Sequence, residues 1–510
     1  MDDIGKEVPR RAHPHGLRIK KKYNIQTDYF YIDVWPMADP MLLIFDPDIA
    51  QQITVENNQP KYHGMADFLV HIAGPDDMVA SDGELWRKWR TIFNPGFSSS
   101  HLMSLVPGIV DDSLVFCDVM RKHADNGNPF RLEETVTRVT VDIIGKVVLD
   151  LRLNTQRGTN EMVNALREQI QLLPNEGMAN PLSMYYPYGI YSRWRNSRIM
   201  KEYIGRVLDE RFASRADSVD PSYKRQRKRA IIDLALEAHQ GQPMDGRKHS
   251  AKGVEPAMDS EFRRMAITQI RTFIFAGHDT TSSTICYAVY ELQRHPKCLD
   301  RIREEHDKVL GPVGQTAQKI KESPHILNRL QYTLAVLRET LRVWPAASAV
   351  RTGSPGFTIR DPRTGELYPA EGMMLMVPQH CLHHNPAIWG DTVNEFDPTR
   401  FLPENEHRLP ENGWRPFEKG PRNCIGQELA LIESRVILAL ICRSFDFSPA
   451  YDALHELKND GSHYAHEKWR KGKQDIDGEE AYAVLLGTAK PREGMPVRVR
   501  RNQAVQQQSA

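Results

Sequence analysis

Phe417-Glu418-Lys419-Gly420-Pro421-Arg422-Asn423-Cys424-Ile425-Gly426 leads directly into residues 427–445, whose apolar spacing predicts a long buried helix. The cysteine stands at the entrance of that helix, and metal ligation is the chemistry that suits it there. Ionising a thiol of reference pKa about 8.5 at neutral pH costs about 2 kcal/mol. A helix N-terminus returns about 0.3–1 kcal/mol of this, so a directly bound metal supplies the larger share. Glycine at 420 permits a tight turn, and glycine at 426 lets the helix backbone approach a flat group closely. A lone cysteine ahead of a core helix is more often simply buried. So many specified residue types in one short loop argue for a built site.

Working outward, a chain of 510 residues accommodates one large domain or two or three average ones. Hydrophobic residues at 40% and charged residues at 26% exclude a disordered, collagenous or disulfide-rich chain. A net charge of +1 gives no global field toward nucleic acid, so an electrostatic partner must meet a local patch. Cysteines at 117, 286, 298, 381, 424 and 442 lack C-x-x-C spacing, which argues against a zinc ribbon or disulfide framework and for a reducing, intracellular compartment. The first residues are polar and basic, and no run of about 18 apolar residues occurs, so neither signal peptide nor transmembrane anchor is expected in this sequence.

Residues 29–35 and 41–45 are short apolar runs around a proline-bounded turn, a hairpin signature. From Pro47 helical periodicity dominates, broken by a predicted loop over 63–83. A surface loop within 214–258 carries the basic run 224–229, read as a solvated face with a nuclear signal as the alternative, beside a helix near 231–238. A charged insertion over 455–480 precedes a strand-like stretch, 481–486.

Three further patterns carry chemistry. Asp259 and Ser260 are candidate caps for a helix over 261–295 that Pro296 stops. Its middle, Ala276-Gly277-His278-Asp279-Thr280-Thr281-Ser282-Ser283-Thr284, puts glycine and hydroxyls where helix propensity wants alanine or leucine. This predicts a functional interruption that weakens or bends the ladder, a kink or polar patch being the alternative. Glu339-Thr340-Leu341-Arg342 sets two charges on one face of a helix ended by Pro345. Taken alone, such a pair is a surface ion pair worth well under about 1 kcal/mol. Trp86-Arg87-Lys88-Trp89-Arg90 puts Trp86 and Arg90 on one helix face, where an indole N–H and a bidentate guanidinium can meet carboxylates. Arg87 and Lys88 are a solvated face or, with Lys419, a patch for an acidic partner.

These segments together resemble the cytochrome P-450 family. Residues 417–426 match its F-x-x-G-x-R-x-C-x-G, residues 276–281 its A/G-G-x-D/E-T-T/S, and 339–342, 398–401 and 86–90 its E-x-x-R, P-x-R-F and W-x-x-x-R. The resemblance spans 29–500 and implies a mainly α fold with small β-sheets, a single large domain holding haem b. It implies Cys424 as the axial ligand of the haem iron, where a thiolate favours O–O cleavage. Trp86, Arg90, Arg351, Phe417, Arg422 and Gly426 become cofactor-binding residues. Asp279 and Thr280 become the catalytic pair that helps deliver protons to dioxygen, and Glu339, Arg342 and Arg400 a buried structural network. The sequence departs from the family in lacking the membrane helix and proline-rich hinge of microsomal members, and in the length of its 455–480 insertion.

The expected division is a flexible lead-in at 1–28, the catalytic domain at 29–500 and a disordered tail at 501–510. The expected activity is that of a monooxygenase, an oxidoreductase inserting one oxygen atom of O2 into a lipophilic small molecule by hydroxylation or epoxidation. The overall look resembles fungal secondary-metabolite members. Electrons would come from NADPH through a separate NADPH-cytochrome P-450 reductase, because the simplest dinucleotide fingerprint, G-x-G-x-x-G, is absent. The chain is expected to be a monomer that binds no nucleic acid, in the cytoplasm or on the cytosolic face of the endoplasmic reticulum. Two alternatives stay open: a haem-thiolate isomerase or dehydratase that needs no reductase, and a non-catalytic haem-binding sensor. The substrate pocket is expected from 63–79, Phe273, Ala276, Thr281, 347–350 and 485–488.

Overall fold

The structure, a computed structural model, describes residues 15–33, 35–36, 39–173, 187–217, 230–240, 258–458, 460–462, 464 and 475–502. The predicted hairpin forms: β1 (Tyr29–Ile32) pairs antiparallel with β2 (Met41–Ile44), Tyr29 opposite Ile44. The other strands are β3 (Phe130–Arg131), β4 (Ala349–Thr352), β5 (Thr358–Arg360), β6 (Leu367–Pro369), β7 (Met374–Val377), β8 (Phe445–Pro449), β9 (Ala483–Leu486), β10 (Thr488–Pro491) and β11 (Pro496–Arg501). The main sheet runs β1-β2-β7-β4 and joins β2 to β7 in parallel, a pairing that no tight turn can close. The chain builds its helical body between these two strands. The smaller sheets are β3-β11-β8, β10-β9 and β5-β6.

The helices include α1 (His15–Lys22), α2 (Gly83–Phe93), α3 (Ser99–Asn126), α4 (Leu132–Leu149), α5 (Glu161–Gln171), α6 (Pro187–Asp217), α7 (Ser260–Arg294), α8 (Gln331–Val343) and α9 (Gln427–Ile441). The class is mainly helical with small sheets, as the resemblance implies. α7 is buried on nearly every side over most of its length, which makes it the central element. The side chain of Asp259 caps it by accepting from the N–H of Phe262 at 3.1 Å.

The predicted interruption does not break α7, which is continuous from Ser260 to Arg294. The hydroxyls of Thr272, Thr280 and Thr284 fold back onto carbonyls four residues earlier, at 3.1, 2.9 and 3.0 Å. Gly277 serves packing: a Cβ there would lie 2.8 Å from Ile144 Cδ1 of α4.

Other boundaries moved for tertiary reasons. Residues 15–22 are helical although they fall in the expected lead-in, because Leu17 and Ile19 pack on the cluster of Phe30, Leu43, Phe45 and Cys381. A short helix, His63–Leu69, forms inside the predicted 63–83 loop. α9 ends at Ile441, since residues 445–449 pair with β11 instead of continuing the helix. The basic run 224–229 and residues 465–474 of the charged insertion lie outside the described residues.

Candidate active site

Between α7 and the loop before α9 lies a cavity of about 320 Å³. The loop is closed by two backbone bonds, Cys424 N–H to Phe417 O at 2.8 Å and Asn423 N–H to Gly420 O at 3.1 Å. Gly420 has φ +81°, and a Cβ there would sit 2.4 Å from Thr54 O, so glycine is required. Cys424 lies deep in the protein, yet it presents surface because it lines the cavity. Burial pushes its thiol up, while the N–H groups of Gly426 and Gln427 and the Arg90 guanidinium pull it down. A Cβ at Gly426 would meet only Cys424 Sγ, at 3.9 Å, so glycine there leaves the space beside the sulfur open.

One edge of the cavity is cationic. Trp86 and Arg90 share the face of α2 that lines it, as the spacing predicts. Arg90 spans Asn423, donating to its O and Oδ1 at 2.8 Å each. Arg422 pairs with Asp82, donates to Ser81 O at 2.6 Å, and lies 4.5 Å over the Trp86 ring. Arg351, 1% exposed, donates to Val350 O at 3.0 Å and leaves Nε and Nη2 without partners. Lys61, which the sequence reading missed, also lines the cavity; burial and the guanidiniums of Arg351 and Arg422 push its ammonium down to about 7. No local signal marks this lysine, since distant partners bring it to the site: a backbone bridge to Arg351 and its N–H donated to Asp82 Oδ2 at 2.8 Å.

The opposite wall is the hydroxyl-bearing face of α7. Thr280 and Thr281 both line the cavity, together with Phe273 and Ala276 of the expected pocket. Thr281 donates a hydrogen bond to the carboxyl group of Glu433 on α9, also a lining residue. Sequence reading missed Glu433, yet an acid inside the apolar run of α9 was the available signal. Burial pushes Glu433 up to about 8 from an ordinary 4.5, against the pull of Thr281. A raised folded pKa means that the folded chain holds the extra proton, so the stability this group lends is complete below about 4.5 and lost as pH rises through about 8. Glu433→Gln is therefore expected to flatten the decline in thermal midpoint over that window. A parallel decline in variant and wild type would remove the assignment.

Asp279 takes a different place from Thr280. It is absent from the cavity lining and turns instead toward Lys490 on β10, its Oδ1 2.7 Å from Nζ, while its Oδ2 accepts from Thr488 Oγ1 at 2.6 Å. Lys490 also reaches Glu133 of α4 at 2.5 Å, and its pKa is raised by these two carboxylates against its burial. The resemblance set acid and threonine together over one face, whereas here the carboxylate follows a buried cation that lies more than two hundred residues on in sequence.

Glu339 and Arg342 are fully buried and joined by two bonds, Nε to Oε2 at 2.7 Å and Nη2 to Oε1 at 2.8 Å. Arg342 further donates to the carbonyls of His383, Val393 and Glu395. Arg400 Nε stands 3.6 Å from Glu339 Oε1, and its Nη2 is bonded to Thr392. The pair is a core feature, not the surface pair that its spacing alone suggests.

The cytochrome P450 family model matches residues 18–464, and the chain belongs to that family. It is 36% identical over 96% of its length to cytochrome P450 monooxygenase polC of Polytolypa hystricis, covering 85% of that protein. It is 33% identical over 97% of its length to cytochrome P450 monooxygenase acrF of Aspergillus aculeatus, covering 99% of it. A mouse relative, cytochrome P450 3A16, is 26% identical over 86% of the chain. The chain is therefore a haem-dependent monooxygenase, an oxidoreductase whose cofactor is haem b and which, as is general in the family, receives electrons from NADPH indirectly through a reductase. The cavity fits that cofactor: an open cysteine sulfur faces one side, and unpartnered nitrogens of the buried Arg351 wait for an anion at the edge. Among the described residues, no helix is long and apolar enough to cross a membrane.

Proposed function

We propose that this protein hydroxylates or epoxidises a lipophilic small molecule of secondary metabolism, with Cys424 holding the haem iron and Thr280 acting from the opposite wall. The observation that carries the reading is a single cavity lined by the Cys424 sulfur on one side and the α7 hydroxyls on the other. Haem b, when bound, supplies the activation of dioxygen, which a thiolate donor promotes. Gly426 keeps the sulfur accessible, and Phe417 accepts the Cys424 N–H that fixes its direction. Trp86, Arg90, Arg351 and Arg422, joined by Lys61, form the edge that would hold the propionates. Phe97, Phe273 and Ala346 add an apolar stretch to the lining that excludes water from the substrate side.

Thr280 lines the cavity with its hydroxyl donated to Ala276 O at 2.9 Å, so proton delivery needs that hydroxyl to turn outward, and Asp279 holds its carboxylate toward Lys490. The expected result for Thr280→Ala is retention of haem and substrate binding with a several-fold drop in product per NADPH, hydrogen peroxide appearing instead. Thr281→Ala tests the neighbouring Glu433 contact in the same assay. Full coupling in both variants would remove proton delivery from α7.

Arg87 and Lys88 are exposed on α2, whose other face reaches the cavity, and they suit docking by an acidic NADPH-cytochrome P-450 reductase to a monomeric enzyme. Spectral titration with a panel of lipophilic metabolites, followed by substrate-dependent NADPH consumption with a generic reductase, tests the whole reading. An isomerase or a sensor would bind without consuming NADPH.

A further inference from the structure

Arg271 sits on the side of α7 that faces away from the haem cavity, since the nine residues to Thr280 turn the helix by about 180°. It is 6% exposed. Its Nη1 donates to Ser197 Oγ on α6 at 3.2 Å, while Nε and Nη2 have no partner. No carboxylate among the described residues pairs with it, and burial alone pulls its pKa down to about 10. Other buried polar atoms are left without partners on α5 and α6. On α6, Ser192 Oγ and Asn196 Nδ2 are buried without partners, and on α5 so is Gln169 Oε1. Gly74 completes the enclosure, its absent side chain leaving room 3.7 Å from Arg271 Nη1.

A buried cation with no counter-charge is the arrangement that folded chains avoid, because desolvation is uncompensated. The one side chain that bonds to it, Ser197, brings a hydroxyl and no counter-charge. The missing group is an anionic acceptor of small size with two oxygens, which a guanidinium fork meets in bidentate fashion. We propose that the Arg271 site between α6, α7 and the Gly74 loop binds a carboxylate. Two sources share this chemistry: a free small carboxylate, or the carboxylate end of an elongated apolar ligand.

The test follows the thermal midpoint of the haem-loaded protein during titration with acetate, dodecanoate and dodecanol, ionic strength being held with sodium chloride. Both carboxylates are expected to raise the midpoint saturably, and Arg271→Met to abolish the rise. Without any carboxylate, Arg271→Met is expected to match or exceed wild type, because the unbalanced charge is gone. Half-saturation by dodecanoate at a concentration at least about tenfold below that for acetate, with dodecanol inert, assigns the carboxylate to an apolar ligand. Equal half-saturation assigns it to a free anion. No rise in wild type, or an equal rise in Arg271→Met, overturns the site. If Arg271→Met fails to fold, Arg271→Lys decides: several-fold weaker carboxylate binding supports the site, and unchanged binding overturns it.

Discussion

Cys424→Ala is expected to abolish the red-shifted Soret band of the reduced, carbon monoxide-treated protein and to bring oxygenation down to background. The band reports thiolate ligation, and Cys424 is the cysteine whose sulfur lines the cavity. Four of the other five have been taken out of play by burial: Cys117 and Cys442 are pushed up to about 12 and Cys381 to about 11, while Cys286 lies fully inside the core, and the half-buried Cys298 is absent from the cavity lining. Their alanine or serine variants should keep the band, which makes them the natural controls. Because Cys424 contributes surface to a cavity and not packing to the core, its loss should cost little in folding, so the apoprotein should still be recovered. A band that survived in Cys424→Ala would reassign the ligand.

Glu339→Ala is expected to give almost no soluble, haem-loaded protein. The carboxylate is fully buried and accepts from Arg342 twice and from the N–H of Asp397 at 2.9 Å. Removing it strands a guanidinium that has no exposure at all. Breaking one side of a buried pair costs about 3–5 kcal/mol, against a typical domain stability of about 5–15 kcal/mol. Arg342→Ala should be as severe, since it also deprives three carbonyls of their donor. Arg400→Ala should be milder, because its distance to Glu339 is 3.6 Å and its side chain keeps 16% exposure. Yield, thermal midpoint and haem content rank the three, and equal losses would make Arg400 a full member of the network.

How much of this was legible in the sequence depended on range. The cysteine loop, the cap at Asp259, the stop at Pro296 and the shared face of Trp86 and Arg90 are local rules, and they appear where the residues put them. What sequence could not supply were partners brought in from afar. Lys490 draws Asp279 away from Thr280, Asp82 occupies Arg422, and Asn423 occupies Arg90. The glycine in α7 reads as a weak point along the chain and becomes a close-packing point only when Ile144 of α4 is set against it. α1 was missed because two apolar residues among lysines give no periodicity, and their docking surface, Phe45 with Cys381, is assembled from distant segments.

The parallel pairing of β2 with β7 also sets a schedule for synthesis. Met41 finds Met374 only after the ribosome has made most of the chain. At about 5–20 residues per second, the β1-β2 hairpin waits roughly 15–70 s for its neighbour. Throughout that interval the apolar edge of β2, Leu42 to Ile44, is an unpaired strand open to wrong partners. Contacts that close so long a loop form late and slowly. Production in a host that translates slowly or lacks holding chaperones should therefore lose protein to aggregation through this edge, before any cofactor has been bound.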